Sequence, residues 1–284
     1  RRTADCLQAL CSDICYEQGV FTISPREPES ETVLHCGESG STYRFILPVC
    51  AALGGRHSFG LRGRLPRRPM DALFHVLAGQ GIRISGQGTE LVTIEGKLSG
   101  GCFKMAGNVS SQFISGLALA APLTGARTEI SLTTPLQSAA YVDITLKAAE
   151  QFGIRAVWRG ESLVIEGGQC YKTPGVADVE GDWSNAAFWL AAAAAGDGRA
   201  RVPGLDVRSP QGDKGIIGLL RLFGAKVSVS EGAVAVEGGR LSAARIDVDA
   251  TPDLAPVLAL AEAALRRGFK KPVTMLFSAR TRED

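Results

Sequence analysis

The sequence has no Cys-x-x-Cys pair, and its three histidines, His35, His57 and His75, are scattered without the spacing of a zinc site. A zinc site therefore has no sequence support. The seven cysteines are an odd set without a framework pattern and read as reduced thiols of a cytosolic protein, with Cys50 packed inside an apolar run. No stretch of about 18 uncharged apolar residues occurs, which speaks against a helical membrane span. No secretory signal pattern appears. A formal net charge of +2 gives no pull toward nucleic acid or a membrane surface.

What is present is ordinary globular material. At 45% hydrophobic and 21% charged, 284 residues can fill one large core or two medium ones. The opening "RRTADCLQAL" reads as the middle of a helix and the closing "SARTRED" supplies no finishing element, so the expectation is a fragment of a longer protein.

A repeat organises the chain. Residues 76–96, 148–167 and 219–238 each run from an apolar helix end through Gly, a small or branched apolar residue and a cation into two short strands ending Glu-Gly. The leading glycines, Gly81, Gly153 and Gly224, recur about every 70 residues, too long for a solenoid and suited to a small α/β module used several times. Each glycine stands where a helix end needs a left-handed residue. The turns "GQG", "RGE" and "SEG" then predict hairpins. A decayed copy spans residues 7–24.

Between the hairpins lie helices predicted over 41–55, 110–123, 184–196 and 252–265, three of them apolar nearly all round, which marks buried central helices. Pro48 predicts a kink or late start in the first. Each begins small and polar: Gly40-Ser41-Thr42, Ser110-Ser111-Gln112, Ser184-Asn185 and Pro252-Asp253. Helix N-termini carry unpaired N–H groups and partial positive charge, so several facing one cleft would form an anion receptor. Each is equally readable as an N-cap, and Ser184-Asn185 is read so.

In order along the chain stand "CGESGSTYRF" (36–45), "RRPM" (67–70), "GNVSSQFISGLALAAPL" (107–123), "SAAYVDITL" (138–146), "VEGDWSNAAFWLAAAAA" (179–195), "QGDKG" (211–215) and "TPDLAP" (251–256). Together they resemble the enolpyruvyl transferases, and among these the 5-enolpyruvylshikimate-3-phosphate synthase family, from Arg1 to about Gly268. The resemblance implies an α/β fold of two lobes, an inside-out α/β barrel built from βαβαββ units. Here that means an N-terminal lobe over 1–177 with its first unit truncated and a partial C-terminal lobe over 178–284, with the crossover near 176–181. It implies transfer of the enolpyruvyl group of phosphoenolpyruvate to the 5-hydroxyl of shikimate 3-phosphate, on the route to chorismate and the aromatic amino acids. No metal or cofactor is implied, and the intact protein is expected to be a cytoplasmic monomer.

By the same resemblance, Gly40, Arg68 and Gln112 meet phosphoenolpyruvate, and Ser110, Ser111, Gln112, Ser138, Tyr141 and Asp253 hold shikimate 3-phosphate. Asp253 is in addition the general base. The chemistry fits: glycine lets backbone approach an anion, and a guanidinium forks onto carboxylate or phosphate. Ser41 and Arg44 line the turn at Gly40, with Arg44 bracing the loop or touching substrate. Arg67 is a solvated neighbour and Pro69 a candidate first residue of the next helix. Asp143 and Thr145 read as structural or capping, and Asp182 and Asp213 as structural. The family's N-terminal Lys-Ser and Arg are absent, the tail from Phe269 departs from its pattern, and Arg280 and Arg282 have no assignable register, so the polypeptide alone is expected to be inactive. The alternatives are a UDP-N-acetylglucosamine enolpyruvyl transferase or a non-catalytic relic.

Overall fold

The computed structural model describes residues 1–18, 20–196, 198–230, 232–238, 242, 244–247, 251–265 and 274–276. The chain separates into two compact units: residues 1–137 with 145–175, and residues 138–144 with 176–284. The unassigned Arg280 and Arg282 lie outside the described residues.

The first unit starts with helix α1 (Arg2–Leu10) and the antiparallel hairpin β1 (Ser12–Glu17) and β2 (Val20–Pro25), the decayed copy of the repeat. Next come β3 (Glu31–Gly37), α2 (Gly40–Leu53), β4 (Gly55–Leu61), α3 (Asp71–Gly79), β5 (Arg83–Ser85) and β6 (Leu91–Gly96). The pattern then recurs as β7 (Gly101–Met105), α4 (Ser111–Ala120), β8 (Thr128–Leu132), α5 (Ala139–Gln151), β9 (Ala156–Arg159) and β10 (Ser162–Ile165). Both are βαβαββ units with one topology. Their sheets run β3-β4-β6-β5 and β7-β8-β10-β9, the leading pair parallel and the rest antiparallel. Helix α5 begins with residues grouped in the second unit and ends in the first.

The second unit adds α6 (Trp183–Ala195), β11 (Arg199–Pro203), α7 (Ile216–Leu222), β12 (Lys226–Ser230), β13 (Ala233–Glu237), β14 (Arg245–Asp247), α8 (Leu254–Leu265) and β15 (Thr274–Leu276). Here the sheets are β11-β13-β12, antiparallel, and the parallel pair β14-β15.

The repeated glycines close helices as the sequence predicts. Gly81, Gly153 and Gly224 have φ of 88°, 83° and 98°. In each case the next residue donates to a carbonyl five positions back: Ile82 to Leu77, Ile154 to Ala149 and Ala225 to Leu220. This is the Schellman closure, in which only a residue free of Cβ strain takes the left-handed position cheaply. Pro69 does not start α3; Met70 occupies the N-cap and Asp71 the first helical position.

Two apolar helices form the centre of the first unit. Pro48 neither delays nor ends α2, which runs through it. Lacking N–H, Pro48 leaves the Arg44 carbonyl without a helical donor. Gly116 of α4 packs there so closely that a Cβ on it would lie 2.4 Å from the Arg44 oxygen. A glycine Cα–H against a freed carbonyl lets the two backbones touch. His57, wholly buried, meets the Gly54 carbonyl through Nε2 at 3.0 Å and Thr32 Oγ1 through Nδ1 at 2.8 Å, a satisfied core histidine.

In the second unit α6 buries Trp183, Ala187, Leu190 and Ala194 against α7, α8 and the sheet. Its expected all-round burial is not observed: Phe188 and Trp189 are 43% and 71% exposed. The helix is covered only on the faces where this unit supplies neighbours.

Candidate functional site

The sequence-predicted residues fall into one cluster in each unit. In the first unit, β3 delivers the chain to Ser39, which caps α2: its Oγ accepts from the Thr42 N–H at 3.4 Å and shares a 2.7 Å hydrogen bond with Thr42 Oγ1. Gly40 follows, buried, as the first helical residue. Arg68 stands just past a 3₁₀ turn at Leu65–Arg67, held there by its N–H to the Leu65 carbonyl (3.1 Å), with Leu65 itself buried. A Cβ on Gly40 would lie 2.7 Å from Arg68 Nη1, so the guanidinium rests against bare backbone at a helix N-terminus. A cavity of about 250 Å³ is lined by Tyr43, Arg67, Arg68, Asp71 and Phe74 among others. Ser41 is exposed, and Arg67 is solvated as the sequence suggested.

Arg44 departs from expectation. It does not brace the Gly-Ser turn. It is only 7% exposed, and its Nη1 donates to Gln112 Oε1 at 2.7 Å, crossing to α4. Its guanidinium carbon lies 5.4 Å from the Phe113 ring centroid, a cation–π distance. Its Nε is buried without a hydrogen-bond partner among the described residues. Burial, then the like charge of Arg68, pulls the guanidinium below the usual arginine range, though an arginine there stays charged.

Ser110 takes the N-cap position of α4 in extended conformation, yet its hydroxyl makes no capping bond. Capping alone therefore does not explain it. Ser110, Ser111 and Gln112 are all half-buried at the first turn of α4. Thr145 donates its hydroxyl to Ser115 Oγ at 2.8 Å, a structural tie. Asp143 lies past the first turn of α5, so it does not cap it, and desolvation raises its carboxyl.

The second unit gathers Ser138, Tyr141 and Asp253. Ser138 has φ of 54°, one of two non-glycine residues in the left-handed region among the described residues. Its carbonyl accepts the Tyr141 N–H at 3.1 Å. The Tyr141 hydroxyl donates to Asp253 Oδ2 through a short hydrogen bond, at the start of α8. Burial first, and then this bond, push the Tyr141 phenol up.

Asp213, read from the sequence as structural, packs beside this cluster. Asp213, in the 3₁₀ turn Gly212–Gly215, is 4% exposed and accepts a short hydrogen bond from Ser184 Oγ. Burial raises its carboxyl, opposed by the Ser184 bond, while the charges of Asp253 and Asp182 raise it further. Only its place in "QGDKG" marked it beforehand. The N-cap of α6 is Asp182, accepting from the Asn185 N–H at 3.1 Å, rather than Ser184. Among the described residues no group of three or more His, Cys, Asp or Glu side chains is placed to hold a metal ion.

Chemically, the first cluster offers donors of the kind that suit an anion: a helix N-terminus beside Gly40, the Arg68 guanidinium, two serine hydroxyls and an amide held by Arg44. The second is an acid–hydroxyl cluster able to bind sugar-like hydroxyls and to take a proton.

A family model described as EPSP synthase (3-phosphoshikimate 1-carboxyvinyltransferase) matches residues 1–268. A 3-phosphoshikimate 1-carboxyvinyltransferase of Clostridium kluyveri is 38% identical over 228 residues, 80% of this chain and 53% of the relative. The protein of the same name from Methanocorpusculum labreanum is 38% identical over 263 residues, 91% of this chain and 62% of the relative. Among solved structures, an EPSP synthase from Acinetobacter baumannii aligns with a TM-score of 0.72 at 22% identity, covering 92% of this chain and 62% of that one, a likeness of fold. The chain spans 53% of the length of the first relative and 62% of the second.

Proposed function

This chain belongs to the EPSP synthase family, and from that premise we propose that it forms part of an enzyme transferring the enolpyruvyl group of phosphoenolpyruvate to the 5-hydroxyl of shikimate 3-phosphate. The observation that carries this reading is the first-unit cluster: Arg68 seated against Gly40 at the start of α2, with Ser110, Ser111 and Gln112 at the start of α4.

On this reading Arg68 and the α2 N-terminus hold phosphoenolpyruvate and stabilise the charge that gathers on phosphate as it leaves. Ser110, whose hydroxyl spends no bond on capping, and Ser111 receive the phosphate of shikimate 3-phosphate with the α4 N-terminus behind them. Ser138 and Tyr141 contact the shikimate side. Asp253 bonds the shikimate hydroxyls and accepts the 5-hydroxyl proton as that oxygen attacks C2 of phosphoenolpyruvate; Tyr141, already donating to Asp253, orients the carboxylate. As the new C–O bond forms, the π pair of phosphoenolpyruvate takes up a proton from solvent at C3, giving a tetrahedral adduct with a methyl group; loss of a proton from that methyl then restores the C=C bond as the C–O bond to phosphate breaks and inorganic phosphate leaves.

The repeated βαβαββ units are read as the inside-out α/β barrel of this family, with an incomplete second lobe; the Acinetobacter baumannii likeness supports the fold. The substrates are two small anions, no cofactor is required, and a cytoplasmic monomer is expected. The nucleotide-sugar acceptor is not favoured, since the matched relatives carry the shikimate 3-phosphate name.

The test is calorimetry of the chain with shikimate 3-phosphate and UDP-N-acetylglucosamine, followed by phosphate release from phosphoenolpyruvate by the full-length protein with each acceptor. Binding and release with shikimate 3-phosphate are expected. Uptake of neither ligand, or release with the nucleotide sugar alone, overturns the reading.

A further inference from the structure

Gln112 offers an anion two N–H donors only if its carboxamide is turned the right way. A free glutamine amide flips readily, and half of its orientations present a carbonyl oxygen that repels an anion. The structure holds a device that removes this ambiguity. Arginine has donors and no acceptor, so the 2.7 Å contact from Arg44 Nη1 can be made only to the Gln112 oxygen. With Oε1 engaged, the Gln112 NH₂ lies on the other side of the rigid amide, where it has no protein acceptor among the described residues.

We propose that Arg44 is a positioning residue: it locks the Gln112 carboxamide so that the start of α4 presents donors to the phosphate of a phosphorylated ligand.

Three features make Arg44 a fixed anchor. Its side chain is packed under the surface and lies over the Phe113 ring, so the guanidinium has little freedom. Its own carbonyl abuts Gly116, so α2 and α4 meet backbone to backbone at the residue that carries the Arg44 fork. Gln112 and Phe113, its two partners, are consecutive residues of the first turn of α4. A single arginine thus grips both the amide and the ring beside it.

The bland account is that Arg44 merely ties α2 to α4. The two differ in what they predict for coupling. A structural tie weakens ligand binding whether or not Gln112 is present. An orienting bond matters only while Gln112 is there to be oriented.

This inference rests on the reading that the start of α4 receives shikimate 3-phosphate, and the experiment separates the two. The 284-residue chain is compared with Arg44→Met, Arg44→Lys, Gln112→Met and the Arg44→Met/Gln112→Met pair. Side-chain amide NMR signals of Gln112, identified by their loss in Gln112→Met, should move toward the free-amide position in Arg44→Met. Arg44→Lys, which also has donors and no acceptor, should hold the Gln112 signals near the wild-type position and retain more affinity than Arg44→Met, a rescue by the conservative variant that still reads the orienting bond where the Met variant does not fold. In calorimetry with shikimate 3-phosphate, each single Met variant should lose affinity by about tenfold or more, the scale of one charged-site hydrogen bond. The pair should lose no more than the larger single loss. Unmoved Gln112 signals, or losses that multiply in the pair, overturn the proposal. A wild-type chain that takes up no shikimate 3-phosphate while Arg44 still controls the Gln112 signals overturns the functional reading and supports the orientation.

Discussion

Gly40→Ala isolates the contribution of the first cluster. Gly40 does not have a positive φ, so alanine meets no backbone strain there, and at a helix start it is a better helix former than glycine. The whole effect is steric. The new methyl would sit 2.7 Å from Arg68 Nη1 and 3.7 Å from Leu65 Cδ1. Leu65 is at ordinary contact and stays. Ordinary contact with Arg68 begins near 3.4 Å, so its guanidinium must retreat by about 0.7 Å. A shift of that size breaks one arm of a two-armed grip on carboxylate or phosphate, a loss of about 1.5–3 kcal/mol, or roughly ten- to a hundredfold in affinity. Arg68 is solvent-exposed and can move without disturbing the core, so thermal stability should hold or rise slightly. The assay is calorimetric titration of phosphoenolpyruvate with shikimate 3-phosphate saturating, alongside thermal melting. Repeating it in an Arg68→Ala background should abolish the effect. Unchanged phosphoenolpyruvate affinity in Gly40→Ala, or an undiminished loss when Arg68 is already gone, would refute the placement of Arg68 as the group that Gly40 makes room for.

Gly116→Ala drives a methyl into the Arg44 carbonyl at 2.4 Å, with backbone on both sides, and should cost about 1–3 kcal/mol, seen as a melting temperature lower by about 2–9 °C. Ser138→Gly relieves a φ of 54° and should leave stability within about 1 kcal/mol of wild type while weakening shikimate 3-phosphate binding, which calorimetry reads; unaltered binding would remove Ser138 from the site. Asp213, buried with its proton affinity raised, contributes most to stability below the ordinary carboxylate range, and that contribution is lost as pH rises through its elevated folded value. Asp213→Asn keeps an acceptor for Ser184 and removes the charge, so it should melt higher than wild type at pH 7 and converge with it near pH 4. A constant difference across that range would place the strain elsewhere.

The helix–hairpin repeat was legible in the sequence because its signals are local. Gly81, Gly153 and Gly224 each close a helix through bonds reaching no further than five residues, and the hairpins after them follow from turn composition. The polar helix starts at Gly40, Ser110 and Asp253 were legible for the same reason. What the sequence alone could not decide was which partner each charged side chain meets. Arg44 stands four residues from Gly40 and reads as part of that turn, yet the helical twist and the Gly116 contact carry its guanidinium to Gln112, 68 residues away. Tyr141 and Asp253 are joined across 112 residues, and Asp213 acquires its burial and acidic neighbours only when loop and helix ends pack together. Backbone closure depends on neighbouring residues and so is written locally. The orientation of an amide, the crowding at a glycine and the proton affinity of a carboxyl depend on atoms brought within a few ångströms by packing, and only the tertiary structure supplies those.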